Sequence, residues 1–199
     1  MQDLHAQFGD IDIYLFDQLL KGRITREMRI VDAGCGYGRN LVYLLKQGFQ
    51  VFGADADAAA IASVRELAGP QASQFHVSRV EAMPFADRFA DVIISSAVLH
   101  FAGDDAHFQA MLRGMWRVLK PGGLFFCRLA SSIGIERLIQ QVEGRIHLLP
   151  DGSYRYLVDE SYLLAATQEL GGTLIDPLKT TVVQNQRSMT TWVLQKGAL

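Results

Sequence analysis

The chain has 199 residues, 49 % of them hydrophobic, enough for one domain that buries roughly 70 % of its unfolded surface. Nineteen Lys and Arg against twenty-one Asp and Glu give a net charge of −2 with no long basic run, which argues against an electrostatic nucleic-acid reader. No charged-then-apolar leader opens the sequence, no apolar run approaches a membrane span, and Cys35 and Cys127 lack metal-ligand spacing. A cytoplasmic chain with reduced thiols, no metal and no membrane or nucleic-acid partner is expected.

In chain order, residues 1–29 carry an apolar helix-like run over 11–20. A strand over 28–33 then meets Gly34, Gly36 and Gly38, and a helix over 39–46 follows. Such a turn lets a ligand lie against bare backbone, with helix N–H groups aimed at it. The next strand, 50–54, ends at Asp55, whose distance from the first glycine suits a carboxylate gripping both ribose hydroxyls of an adenosine cofactor. A dinucleotide turn reads G-x-G-x-x-G, but here the third glycine comes one residue early. Asp32, just before the turn, would repel a pyrophosphate and suits the ammonium group of an amino acid.

Helices over 57–67, 106–119 and 160–170 and strands over 75–79, 92–95 and 123–129 continue the alternation of an α/β parallel sheet. The end differs. Two strand-like runs, 173–183 and 187–195, have only residues 184–186 between them, so they must be antiparallel. Segments 1–29 and 131–159 fall outside the alternation. Ligands on open parallel sheets sit at the carboxyl ends of strands, so these two segments are expected to supply a lid and a substrate pocket to a single domain over 1–199. Tyr14, His147, Tyr154, Arg155 and Tyr156 are its candidate lining, although Tyr14 also shares an apolar helical stripe with Ile11, Leu15 and Leu19.

The run Val31-Asp-Ala-Gly-Cys-Gly-Tyr-Gly-Arg-Asn40 resembles the first motif of class I S-adenosylmethionine (SAM)-dependent methyltransferases. Val77-Ser-Arg-Val-Glu-Ala-Met-Pro-Phe85, Phe89-Ala-Asp-Val-Ile-Ile-Ser-Ser-Ala-Val-Leu-His-Phe101 and Arg113-Gly-Met-Trp-Arg-Val-Leu-Lys-Pro-Gly-Gly-Leu-Phe-Phe126 are similar to three further motifs, in order, of the small bacterial type-11-like members. Residues 38–40, 43–45 and 48–51 add a shorter likeness to tellurite-resistance-type methyltransferases, which tilts toward a small acceptor. The resemblance implies a Rossmann-like three-layer α/β sandwich. Its sheet would be seven-stranded and mostly parallel, ordered 3-2-1-4-5-7-6 and closed by the antiparallel C-terminal hairpin.

The resemblance also implies SAM as cofactor and S-adenosylhomocysteine as its product. Asp32, Ala33, Gly34, Cys35, Gly36, Tyr37, Asn40, Asp55 and Ala56 would bind the cofactor, with Asp32 orienting the methionine ammonium, Gly34 and Gly36 allowing close backbone approach and Asp55 at the ribose hydroxyls. Val80 and Glu81 would meet the adenine, and Ser95 and Ser96 the methionine part. Arg79 departs from the pattern, standing where many members carry an Asp that accepts the adenine amino proton; arginine has donors only. Glu81, or backbone at Val80 and Glu81, then reads the adenine, unless Glu81 is a plain helix-start acid. His100 is the catalytic candidate, a base for an attacking hydroxyl, amine or thiol, with a satisfied structural histidine as the other reading. Asp91 is expected to be structural, and Asp104-Asp105 a helix cap and not a metal pair. The expected function is methyl transfer to a small molecule. A SAM-binding partner subunit without transferase activity and an NAD-binding oxidoreductase are the alternatives, and a homodimer stays open.

Overall fold

The computed structural model describes residues 3–198. Two short helices, α1 (Leu4–Phe8) and α2 (Ile13–Leu20), precede β1 (Arg29–Ala33), α3 (Val42–Lys46), β2 (Gln50–Asp55), α4 (Ala58–Ala68) and β3 (Phe75–Val77). Then come β4 (Ala90–Ser96), α5 (Asp105–Val118) and β5 (Leu119–Ala130). The strands β6 (Gln140–Glu143), β7 (Ile146–Leu148) and β8 (Tyr154–Tyr156) lead to α6 (Glu160–Glu169), and β9 (Gly172–Leu174), β10 (Lys179–Val183) and β11 (Arg187–Lys196) end the chain. The main sheet runs β10-β11-β5-β4-β1-β2-β3, with β9 also paired to β11. The strands β1 to β5 are mutually parallel, whereas β11 is antiparallel to β5, β9 and β10.

This is the expected order, with one strand more than expected. The run 173–183 is two strands, β9 and β10, because Asp176-Pro177 breaks it. Proline has no N–H for a ladder. Asp176 is buried and accepts hydrogen bonds from Gln18 Nε2 (2.9 Å), Arg23 Nη1 (2.8 Å) and Lys21 Nζ (3.1 Å), which fasten the end of α2 to the sheet. Burial pushes its carboxyl up, but these three donors hold it down at about 2. The segment 131–159 is a small antiparallel sheet, β6-β7-β8, that the sequence pattern did not reveal.

Period-two burial builds the core. Ile93 and Phe125 face α5 and α6, packing with Phe108, Met115, Leu163 and Trp192. Val92, Ile94 and Phe126 face the other way, toward Leu15, Leu44 and Ile61. Helix α5 buries Phe108, Met111, Leu112, Met115 and Val118, one stripe at helical spacing, and each large side chain contributes on the order of 2 kcal/mol. Asp104 caps it by accepting the His107 amide at 2.7 Å, and Asp91 accepts the Arg29 amide at 2.8 Å, both as expected. Among the described residues, no helix is long and apolar enough to cross a membrane.

Candidate functional site

The turn after β1 is built by glycines at positive φ: Gly34 (80°), Gly36 (51°) and Gly38 (79°). A Cβ on Gly34 would lie 2.5 Å from Val98 Cγ2, so the turn also needs glycine for space. The left-handed Gly38 delays α3, and Asn40, instead of capping it, accepts the Asp12 amide at 3.0 Å. The helix therefore starts at Val42, three residues later than its apolar pattern suggests. The amides of Gly34 and Cys35 donate to Ala54 O at 2.8 and 3.1 Å, tying the turn to β2. Gly36 N donates to Asp55 Oδ2 at 2.8 Å, and Asp57 N to Asp55 Oδ1 at 2.9 Å. These bonds fix the carboxylate at the carboxyl edge of the sheet.

A cleft of about 610 Å³ opens above this turn. Of the expected residues, Gly34, Cys35, Gly36, Tyr37, Asn40, Asp55, Ala56, Val80, Glu81 and Ser96 line it. Asp32, Ala33 and Ser95 do not: they are buried in the strand ends below it. Asp32 is 1 % exposed, and its Oδ2 has no hydrogen-bond partner among the described residues. Burial, with a smaller push from the Asp55 charge against the pull of Arg39, raises its carboxyl to about 7. A buried carboxylate oxygen without a donor is costly, and a proton, a cation or an N–H group there would relieve the cost. Burial likewise pushes the Cys35 thiol up, with the Asp32 and Asp55 charges adding, which disfavours the thiolate.

The opposite wall is Arg79, Val80, Glu81, His107 and Met111. Glu81 Oε1 takes Arg79 Nε at 3.1 Å and lies 3.4 Å from His107 Nε2. The other nitrogen of that ring accepts the Gly103 amide at 3.1 Å, which leaves the proton of a neutral imidazole facing Glu81. Gly114 of α5 packs directly behind this wall.

Among the described residues, the N-terminal segment supplies none of the cleft lining; it touches Arg39 and Ser96 on that lining through buried Asp12, a residue the sequence did not mark. Its Oδ1 caps α2 at Tyr14 N (2.9 Å), while Oδ2 accepts Arg128 Nη1 (3.0 Å) and faces Ser96 Oγ at 3.4 Å. Ser96 Oγ in turn accepts Arg39 Nη2 at 2.9 Å. Arg39, Ala97, Val98, Phe101, His107 and Met111 complete the cleft and were also missed. Arg39 follows the glycine turn directly and had that as its signal; the Asp12 contacts beyond its helix cap span 28 to 116 residues and had none.

His100 lies outside the cleft, in a second hollow of about 220 Å³ that shares Arg39 and Ala97 with it. Its Nδ1 accepts the Ala130 amide at 3.1 Å. Burial, with the charges of Arg155 and Arg187, lowers its pKa to about 4. Among the expected pocket residues only Arg155 lines this hollow. Tyr156 is core, its hydroxyl donating to Asp105 Oδ1 at 2.8 Å. Tyr14 OH bonds Thr181 Oγ1 at 2.8 Å, His147 Nδ1 lies 2.9 Å from Arg145 O, and Tyr154 is exposed at the surface.

Residues 31–127 match the family model described as a methyltransferase domain. An uncharacterized methyltransferase of Synechocystis is 34 % identical over 102 residues, 51 % of this chain and 47 % of that protein. A ubiquinone biosynthesis O-methyltransferase of Brucella ovis is 31 % identical over 163 residues, 77 % of this chain and 63 % of that protein. The chain thus spans about half to under two thirds of the length of these curated relatives. Among solved structures, a SAM-dependent methyltransferase of Methanosarcina mazei superposes with a TM-score of 0.75 at 19 % identity, covering 91 % of this chain and 98 % of that one. The Burkholderia thailandensis 1,6-didemethyltoxoflavin-N1-methyltransferase, solved with bound 1,6-didemethyltoxoflavin and S-adenosylhomocysteine, gives 0.71 at 18 % identity, over 98 % of this chain and 82 % of that one. At such identities the structures speak for the fold.

Proposed function

We propose that the chain is a SAM-dependent methyltransferase acting on a small-molecule acceptor; the match of residues 31–127 to the methyltransferase-domain model and the fold shared with solved methyltransferases support the reading. The observation that carries the reading is Asp32: a buried carboxylate oxygen without a donor, directly under a glycine turn, fits the ammonium group of the cofactor's methionine part. The same carboxylate under the turn disfavours a dinucleotide, whose pyrophosphate it would repel.

In this reading the backbone of Gly34 and Gly36 lies against the amino-acid end, and Asp55, already held by the Gly36 and Asp57 amides, accepts the ribose hydroxyls. Val80 and Glu81 form the adenine wall; Arg79 is spent on Glu81 and reads no base. Ser96, tied to Arg39, borders the methionine part. SAM supplies an activated sulfonium methyl for in-line displacement. The chain's share is to hold acceptor and donor in line and keep water out, and alignment alone supplies on the order of 7–11 kcal/mol. No group in the cleft need form a covalent bond. The segment before β1, latched through Asp12, serves as lid, and residues 131–159 border the acceptor side of one domain. We place the enzyme in the cytoplasm.

Calorimetric titration with S-adenosylhomocysteine, with NAD as control, tests the cofactor. Micromolar binding of the former alone is expected, and an acceptor screen with labelled SAM then tests turnover. NAD binding in its place would sink the reading; SAM binding with no turnover on any acceptor would turn it toward a partner subunit.

A further inference from the structure

Beside the cofactor cleft, the second hollow has a chemistry of its own. Four arginines line it: Arg39 from the glycine turn, Arg128 from the end of β5, Arg155 from β8 and Arg187 from the start of β11. A single carboxylate, Asp151, stands on the same rim, and its Oδ1 is engaged by the amide and hydroxyl of Ser153 at 3.0 and 2.6 Å. Arg128 shares Asp12 below, yet its Nε is buried with no partner among the described residues. Arg155 is held by stacking on Phe101, 4.8 Å from the ring centroid, and by donating to Tyr154 O at 2.6 Å.

His100 adds a neutral donor to this floor. Because its Nδ1 accepts the Ala130 amide, the proton of the neutral ring sits on Nε2. A ring so fixed donates a hydrogen bond and has no free lone pair for an incoming proton.

The two hollows meet at Ala97, a non-glycine residue held at φ 63°, whose amide donates to Arg128 O at 2.7 Å. Strain of this kind at a junction of two sites costs on the order of 1–3 kcal/mol and persists only where the surroundings impose it. A volume of about 220 Å³ equals that of about seven liquid waters, so whatever enters is small.

We infer that this hollow is the acceptor pocket and that it takes a small molecule bearing a compact anionic group, a carboxylate or a phosphate, on Arg128, Arg155, Arg187 and the Nε2–H of His100. The inference rests on the methyltransferase reading. Convergent guanidiniums from three separate strands suit a planar or tetrahedral oxyanion, which they bind with paired N–H donors. The anion anchors the acceptor at the distal end, leaving its nucleophile beside Ala97 and the cofactor cleft.

The test uses the protein loaded with S-adenosylhomocysteine, at constant ionic strength, titrated with inorganic phosphate, with benzoate and with benzamide. Benzoate or phosphate should bind, and benzamide should bind at least tenfold more weakly. In Arg155→Gln/Arg187→Gln, anion affinity should fall at least tenfold while affinity for S-adenosylhomocysteine stays within twofold, which also shows that the variant is folded. Benzamide binding as well as benzoate, or anion affinity unchanged in the variant, would overturn the inference while leaving the cofactor reading intact. Failure of S-adenosylhomocysteine to bind the wild-type chain would instead remove the reading on which it rests. An acceptor screen pairing carboxylic acids with their amides should find turnover confined to the acids.

Discussion

The amide of Gly36 donates to Asp55 Oδ2 at 2.8 Å, so the glycine turn after β1 and the carboxylate ending β2 are one mechanical unit. Two residues nineteen apart in sequence are thus joined on the lining of one cleft. Replacing Asp55 with alanine removes both the proposed ribose acceptor and one tie of the turn. Charged hydrogen bonds of this kind contribute about 1.5–3 kcal/mol each. Affinity of Asp55→Ala for S-adenosylhomocysteine should therefore fall at least tenfold. The thermal midpoint should move little, because the Gly34 and Cys35 amides still hold the turn to Ala54. Asp55→Asn keeps an acceptor for Gly36 and should lose less affinity. Wild-type affinity in Asp55→Ala, measured by calorimetry, would remove Asp55 from the site.

If Asp32 holds the cofactor's ammonium as proposed, cofactor binding should depend on pH. Its carboxyl, raised by burial to about 7 from 3.8, holds a proton in the folded chain that the unfolded chain has already shed across that window. The folded state is thus the better proton binder there, and this group's contribution to stability, complete below 3.8, is lost as pH rises through about 7. A ligand ammonium needs the ionised form. Affinity for S-adenosylhomocysteine should therefore drop below about pH 7, approaching tenfold per unit. Asp32→Asn should bind weakly with no such slope, and its free form should be more stable than wild type above neutrality. An equal slope in Asp32→Asn would place the titrating group elsewhere.

Local spacing explains what was legible. The glycine turn, Asp32 and Asp55 lie within one βαβ unit, where sequence distance and spatial distance run together, and ten of the thirteen expected cofactor residues do line one cleft. The closing hairpin was readable because three residues cannot hold a crossover helix. Long-range polar contacts left no such trace. Asp12 looks like any helix cap, yet its second oxygen meets Arg128 across 116 residues. Pro177 was a readable reason for the break between β9 and β10, but the burial of Asp176 beside it is explained only by its distant partners Arg23 and Gln18. Tyr156 belongs to an aromatic cluster that suggested a pocket, but β8 turns it inward against Phe108 with its ring 4.8 Å away. The arginines of the second hollow come from four places in the chain, and their convergence is a property of the fold alone.

Gly114 offers a test of the wall formed by Val80 and Glu81. It lies in the middle of α5, where alanine would normally help by about 1 kcal/mol. Here a Cβ would stand 2.6 Å from Val80 O and 2.7 Å from Glu81 Cα. Both are backbone atoms, so no side-chain rotation relieves the clash; either α5 or the 80–82 turn must move. Overpacking of this kind costs about 1–3 kcal/mol, which reverses the helix-propensity gain. Because Val80 and Glu81 line the cleft, Gly114→Ala should lower the thermal midpoint and weaken binding of S-adenosylhomocysteine several-fold together. Gly122→Ala is the control: Gly122 has φ 75° and nothing within 4 Å of its Cβ, so strain there should lower the midpoint and leave binding unchanged. Should Gly114→Ala behave like Gly122→Ala, losing stability with full affinity, the 80–82 turn would not be part of the cofactor site, and the adenine would have to be held by Phe101, Met111 and the residues after Asp55 instead.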